Sequence, residues 1–115
     1  MDIRRYDIVL ADLSGTVGSE QGGTRPVLVI QNDIGNIKSN VTIVFPLSSK
    51  LKAPKQPTHA LLRKDKDNGL MMDSVVLGEQ IRAISTERIK WKIGTVKNEE
   101  DRTEIRRVYQ ANFGE

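Results

Sequence analysis

The chain has 115 residues, with 18 Lys and Arg against 15 Asp and Glu, a net charge of +3 and a pI near 9.3. This length predicts one domain, residues 1–115, with a modest core. The absence of cysteine excludes a disulfide framework and a thiolate metal site. Because the sequence has neither a signal pattern nor an apolar run of membrane-spanning length, we expect a cytoplasmic protein with no membrane contact.

Short apolar runs predict five β-strands, at residues 6–12, 25–32, 41–48, 58–62 and 74–84. The second run does not alternate between apolar and polar residues, which predicts that both of its faces are covered. Pro46 within the third run predicts an edge strand or a bulge. The glycine-rich segment 13–24 is longer than a hairpin needs, and residues 33–40 are predicted to form a turn.

Two helices are expected after the strands. Ser85 is a potential N-cap for a short helix that ends before Gly94, and Trp91 is expected in the core. Asn98 is a potential N-cap for a second helix with an acidic first turn and an apolar stripe of Ile105, Val108 and Tyr109. The fold class is therefore mainly β with α (α+β), a small, strongly curved antiparallel sheet or half-open barrel.

The most informative motif runs from Gly18 to Pro26 and leads directly into the second strand. Its letters are GSEQGGTRP, followed by VLVIQND. Pro26 holds Arg25 in an extended conformation at the start of the strand. Since a guanidinium pairs with two phosphate oxygens at once, the motif predicts an anion site and favours a phosphate diester.

This motif resembles the signature of the MazF/PemK toxins, the ribosome-independent RNA endonucleases of bacterial toxin–antitoxin pairs. Further similar blocks lie at residues 7–13, 57–59 and 73–82. The resemblance covers about residues 3–95, and the last twenty residues are similar only in being helix-like.

The resemblance implies an SH3-like barrel with appended helices that works as a homodimer. It also implies the toxin of a type II pair, a sequence-specific and metal-independent endoribonuclease that cleaves single-stranded RNA or mRNA. The expected products carry 2′,3′-cyclic phosphate and 5′-hydroxyl ends. No cofactor is expected, and the implied protein partner is an acidic, MazE-like antitoxin.

Three residues are predicted to be catalytic. Arg25 stabilises charge on the phosphorane, because arginine side chains rarely give up a proton in proteins. Ser48, where the family usually has threonine, donates to a phosphate oxygen, or Ser49 does so if the register slips by one. Glu20 is a potential base for the 2′-hydroxyl, and whether Glu20 or Arg25 moves the proton stays open.

The predicted substrate-binding residues fall into two groups. Lys50, Lys52 and Lys55 form a basic loop for phosphate contacts, or simply a solvated loop. Polar contacts to RNA are predicted for Ser19, Gln21, Asn32, Asn36, Ser74, Glu79 and Gln80. Ser19 and Gln21 are equally suited to holding their loop, and Glu79 and Gln80 to forming a structural pair at the dimer interface.

The sequence lacks the residues for several other kinds of site. His59 is the single histidine and is expected to be structural, and no metal-ligand spacing occurs. The aromatic content of 4% does not support a base-stacking platform. Two alternative functions stay open beside RNA cleavage. The chain could act as a gyrase poison of the same fold, or as a catalytically inert nucleic-acid-binding barrel.

Overall fold

The structure, a computed structural model, describes residues 2–114. Within that range lie seven β-strands: β1 (Asp7–Asp12), β2 (Thr24–Val29), β3 (Val41–Ser48), β4 (His59–Leu62), β5 (Ser74–Leu77), β6 (Arg82–Ser85) and β7 (Ile89–Thr95). The helices there are α1 (Asp33–Lys38) and α2 (Glu99–Phe113), and single 3₁₀ turns occupy Gly78–Gln80 and Thr86–Arg88. No helix among these residues is long and apolar enough to cross a membrane.

The strands form one curved antiparallel sheet in the order β4-β5-β3-β2-β1-β7, with β6 also paired to β3. The first half of β3 pairs with β6 and its end pairs with β5, so the sheet bends around this strand.

The predicted fold, a strongly curved antiparallel sheet with a C-terminal helix, is confirmed. The prediction that Pro46 marks an edge strand was wrong, because β3 is central. Pro46 lies between the stretch that pairs with β6 and the stretch that pairs with β5.

Two apolar clusters cover the two faces of the sheet. Leu28 belongs to one cluster, whereas Val27 and Val29 belong to the other, as the non-alternating run predicted. In α2, Ile105 and Val108 pack into the first cluster, and Asn98 caps the helix by accepting from the backbone N–H of Asp101. Tyr109 was wrongly expected in the core, since it is 44% exposed.

Residues 33–40, predicted to form a turn, contain the helix α1 instead. Asn32 accepts from the backbone N–H of Gly35 at 2.9 Å and so begins the helix. The Gly35-Asn36 pair suggested a turn, but the N-cap and the aspartate that follows it favour a helical start.

The predicted strand over 74–84 and the helix after Ser85 both need correction. The strand divides into β5 and β6 at Gly78, where a Cβ atom would collide with Val108 and with the carbonyl oxygen of Thr58. The sheet therefore turns there beneath α2. Ser85 is an N-cap, but the turn that it caps is only the short 3₁₀ turn Thr86–Arg88. The helix predicted to follow Ser85 is wrong, because the chain forms the strand β7 there.

Candidate active site

One open cavity of about 630 Å³ collects residues from distant parts of the chain. It is lined by the start of β2, the end of β3 with the loop after it, the loop before β5, and β7. Four of the predicted site residues line it: Arg25, Ser48, Lys50 and Ser74. Arg25 and Ser48 are far apart in sequence, so their meeting at one cavity depends on the fold.

Arg25 is held by its own loop. Its Nε donates to the carbonyl oxygen of Gly22 at 2.8 Å, and the residue is half-buried beside Ala11 of β1. A Cβ atom at Gly22 would collide with Thr16, and Gly23 has a φ of +72°, a conformation that favours glycine. The positive φ of Gly23 therefore favours glycine immediately after the carbonyl that Arg25 binds.

Ser48 ends β3 and is buried, with only 6% of its surface exposed. Its Oγ accepts from the backbone N–H of Lys50 at 3.3 Å, which turns the chain away from the sheet. Ser49 also lines the cavity. Ser74 is buried as well and donates to the carbonyl oxygen of Met72 at 3.0 Å. Four hydroxyl residues (Thr24, Ser48, Ser49 and Ser74) and three cationic residues (Arg25, Lys50 and Lys92) thus line the cavity.

Glu20 does not line the cavity. Its carboxylate accepts from the backbone N–H of Val17 at 2.7 Å, in an exposed turn of the loop. Gln80 joins this loop to the sheet: its Oε1 accepts from the N–H of Gln21 at 3.2 Å, and its Nε2 donates to the carbonyl oxygen of Ser19 at 3.1 Å. The structure therefore brings Ser19, Gln21 and Gln80 together. The contact joins the side chain of Gln80 to the backbone groups of Ser19 and Gln21, not to their side chains.

Glu79 lies against β4, where its carboxylate is 3.1 Å from Nε2 of His59. The Nδ1 atom of His59 accepts from the N–H of Lys55 at 3.1 Å, so Nε2 is the nitrogen that donates to Glu79. Burial raises the pKa of Glu79, but hydrogen bonds from His59, its own backbone and Thr58 outweigh it and leave this pKa below its usual value. His59 is buried, in agreement with its predicted structural role.

Asn32 and Asn36 also lie outside the cavity lining. Asn32 caps α1, while the amide of Asn36 donates to the carbonyl oxygen of Gln31 and accepts from the hydroxyl of Thr42 at 2.7 Å. Their predicted contacts with RNA stay predictions, and their amides already have partners within the chain.

A second, shallower groove of about 440 Å³ adjoins the cavity, since both are lined by Ser49, Met71 and Met72. Lys52, Arg63 and Lys64 line this groove, together with the acidic residue Asp73. Lys50 and Lys52 therefore belong to one continuous basic surface. Lys55 lines neither depression.

Four residues that line the cavity were not among the predicted site residues: Trp91, Lys92, Met71 and Met72. Trp91 is 59% exposed, so its expected place in the core was wrong. A signal for Trp91 and Lys92 was present in residues 89–93, where apolar Ile89, Trp91 and Ile93 alternate with lysines. This period of two indicates a strand rather than the helix that was predicted.

No group of three or more His, Cys, Asp or Glu side chains within residues 2–114 is placed to hold a metal ion. The polar groups that meet at the cavity are a guanidinium, ammonium groups and hydroxyls. Such groups bind phosphate oxygens and can stabilise negative charge that develops on them.

Comparisons with known proteins agree on one family. Residues 4–111 match the family described as the PemK-like, MazF-like toxin of type II toxin–antitoxin systems, so the match includes most of α2. The endoribonuclease EndoA of Bacillus subtilis (strain 168) is 48% identical over 99 residues, which is 86% of this chain and 84% of EndoA.

Solved structures show the same fold. The MazF of Deinococcus radiodurans superposes with a TM-score of 0.82 at 21% identity, covering 100% of this chain and 99% of that one. A mycobacterial endoribonuclease in complex with its cognate antitoxin gives a TM-score of 0.78 at 17% identity, covering 97% of this chain and 95% of that one. The family match spans most of the chain, and the Bacillus relative is well above the identity at which a family is shared: the chain belongs to the PemK-like, MazF-like toxins of type II toxin–antitoxin systems.

Proposed function

We propose that the chain is the toxin of a type II pair and acts as a sequence-specific, metal-independent endoribonuclease on single-stranded RNA. The observation that carries this proposal is the meeting of Arg25 and Ser48 in one cavity with Lys50 and Ser74. The family and the 48% identical endoribonuclease support the same activity.

Arg25 is the group that holds the scissile phosphate in this proposal. Its Nε is bound to Gly22, which orients the side chain and leaves the terminal guanidinium nitrogens to bind two phosphate oxygens. Charge grows on these oxygens as the 2′-hydroxyl attacks, so the fork stabilises the phosphorane more than the ground state. Ser48 donates a further hydrogen bond to the same phosphate.

Glu20 serves as the base that takes the proton of the 2′-hydroxyl. It is bound to the N–H of Val17 in the exposed loop, so it acts only after that bond opens and the loop moves toward bound RNA. The 2′-oxygen bonds to phosphorus as the bond between phosphorus and the 5′-oxygen breaks, and the leaving 5′-oxygen takes a proton from water. The products therefore carry a 2′,3′-cyclic phosphate and a 5′-hydroxyl.

RNA recognition is assigned to the surroundings of the cavity. Lys50, Lys52 and Lys55 contact phosphates, and the polar side chains Ser19, Gln21, Asn32, Asn36, Ser74 and Glu79 are proposed to meet bases or riboses. Gln80, whose amide is bonded to the loop at both ends, is proposed to assist RNA binding by holding that loop. Unpaired bases of a single strand expose the edges that such groups read.

The working unit is a homodimer in the cytoplasm. Ile34 and Ile37 lie one turn apart on α1 and are 70% and 69% exposed, and Val41 and Ile43 of the adjoining β3 are 40% and 36% exposed. Exposed aliphatic side chains on adjacent segments are suited to an interface between copies. The other partner is an acidic, MazE-like antitoxin that covers the basic cavity and prevents RNA binding.

This function is tested by incubating the purified chain with one defined RNA. The reaction is run with and without EDTA, and with and without the cognate antitoxin. Cleavage that survives EDTA and stops with the antitoxin supports it. Binding without cleavage would make the chain an inert binding barrel, and inhibition of gyrase without any RNA cleavage would make it a gyrase poison.

A further inference from the structure

One wall of the cavity is formed by large, exposed apolar side chains. Trp91 is 59% exposed, Met71 88% and Met72 55%, and all three line the cavity that also contains Arg25 and Ser48. Each would lose unfavourable contact with water if a flat apolar group covered it.

The two methionines are brought to β7 by a rigid loop. A Cβ atom at Gly94 would lie 2.5 Å from the carbonyl oxygen of Asn68, so the loop approaches the strand more closely than another residue would allow. The N–H of Thr95 donates to the carbonyl oxygen of Asp67 at 2.8 Å. These contacts hold Asp67 and Asn68 against β7, a few residues before the two methionines.

Asn68 stiffens this loop from within. Its side chain is completely buried; its Nδ2 donates to the carbonyl oxygen of Arg63 at 2.8 Å, and its Oδ1 accepts from the N–H of Leu70 at 2.9 Å. A buried amide with both ends bonded holds a single loop conformation.

The charges around this wall favour an anionic occupant. Arg25, Lys50 and Lys92 line the cavity, and no aspartate or glutamate among residues 2–114 does. Lys92 is also 3.3 Å from the carboxylate of Asp7, so Arg25 and Lys50 supply most of the uncompensated charge. A ligand that combines a flat apolar face with phosphate groups fits both features.

We propose that Trp91, with Met71 and Met72 beside it, stacks on one nucleobase of the RNA strand whose scissile phosphate Arg25 holds. This inference rests on the function proposed above and adds a binding site to it. The low aromatic content argued against a platform for several bases, but one indole is sufficient for one base. Stacking of this kind does not depend on base identity, so Trp91 positions the strand rather than selecting its sequence.

The test uses the natural fluorescence of the chain, because Trp91 is its single tryptophan. The probe is a short RNA centred on a mapped cleavage site, with a 2′-deoxynucleotide at the cut so that it binds without being cleaved. Its addition should change the indole emission. One abasic position next to the cut should remove that change and weaken binding about 5- to 100-fold, the range expected for one stacked base.

Variants separate stacking from simple structural support. Trp91→Ala should weaken RNA binding by a similar factor and raise KM with little effect on kcat, and the abasic probe should then bind no more weakly than the intact one. Trp91→Phe should retain most of the affinity, which also guards against misfolding of the alanine variant. Tyr109→Ala is the matched control, since Tyr109 is an exposed aromatic residue that does not line the cavity.

Unchanged emission with bound RNA, together with normal affinity of Trp91→Ala, would overturn the stacking site while leaving the proposed function intact. Emission that responds to an acidic antitoxin segment but not to RNA would also overturn it and assign the wall to the protein partner. Failure of the wild-type chain to bind or cleave any RNA would instead contradict the proposed function itself.

Discussion

The Nε of Arg25 donates to the carbonyl oxygen of Gly22 at 2.8 Å, which fixes the guanidinium at the edge of the cavity. Arg25→Ala should lower kcat about 10²- to 10³-fold, the usual loss for one donor to a charged transition state. Arg25→Lys should recover little, because an ammonium group cannot both bind Gly22 and form a fork on phosphate. Single-turnover cleavage of a defined RNA measures the effect.

The control for these variants is Arg4→Ala, which removes an exposed arginine that forms a surface ion pair with Asp2. It should cleave as the wild type does. In the same assay Ser48→Ala should be milder than Arg25→Ala, and Ser48→Thr should be tolerated because the hydroxyl is kept. Near-normal cleavage by a folded Arg25→Ala protein would contradict the proposed role of this residue.

Gln80 bridges the sheet and the loop through Ser19 and Gln21. Gln80→Ala should therefore speed hydrogen exchange at the N–H of Gln21 and reduce cleavage equally at all sites, because the loop that presents Arg25 loosens. Mapping of the cut sites distinguishes this role from base reading. A changed set of sites with unchanged exchange would show that Gln80 reads a base.

The three lysines after β3 are expected to contact phosphates. Neutralising Lys50, Lys52 and Lys55 together should reduce the log–log salt slope of RNA binding, by about 0.7 for each true contact with a single strand. Single variants should rank Lys50 and Lys52 above Lys55, since only the first two line the cavity or its adjoining groove. The cut sites should not change, and an unchanged slope would indicate a merely solvated loop.

The lowered pKa of Glu79 predicts a pH dependence of stability. Its ionised form is favoured in the folded state, so its stabilising contribution is complete above the unfolded value of 4.5 and is lost as the pH falls through the lowered folded value. Glu79→Gln should therefore unfold more easily than the wild type at neutral pH, and the difference should shrink below pH 4.5. Urea denaturation across this range measures it, and a constant difference would argue against the linkage.

Local sequence signals predicted much of the sheet and placed Arg25 at the start of β2. They could not show that Arg25 and Ser48 share a cavity, because that depends on the pairing of β2 with β3. The division at Gly78 was also hidden, since the close approach of Val108 that requires a glycine comes from α2, distant in sequence.

The errors at Trp91 have a different cause. The alternation in residues 89–93 was available, but Ser85 suggested a helix and the tryptophan suggested a core. Because β7 lies at the edge of the sheet and lines an open cavity, its apolar residues are not all buried.

In the proposed mechanism the 2′-hydroxyl of the RNA is the nucleophile at the cavity of Arg25 and Ser48. The most direct measurement compares a cleaved RNA with the same RNA carrying a single 2′-deoxynucleotide at the cut site, in excess EDTA, with the end groups identified by mass spectrometry. We expect 2′,3′-cyclic phosphate and 5′-hydroxyl ends from the first RNA and no cleavage of the second. Cleavage of the 2′-deoxy substrate at the same site would contradict this mechanism.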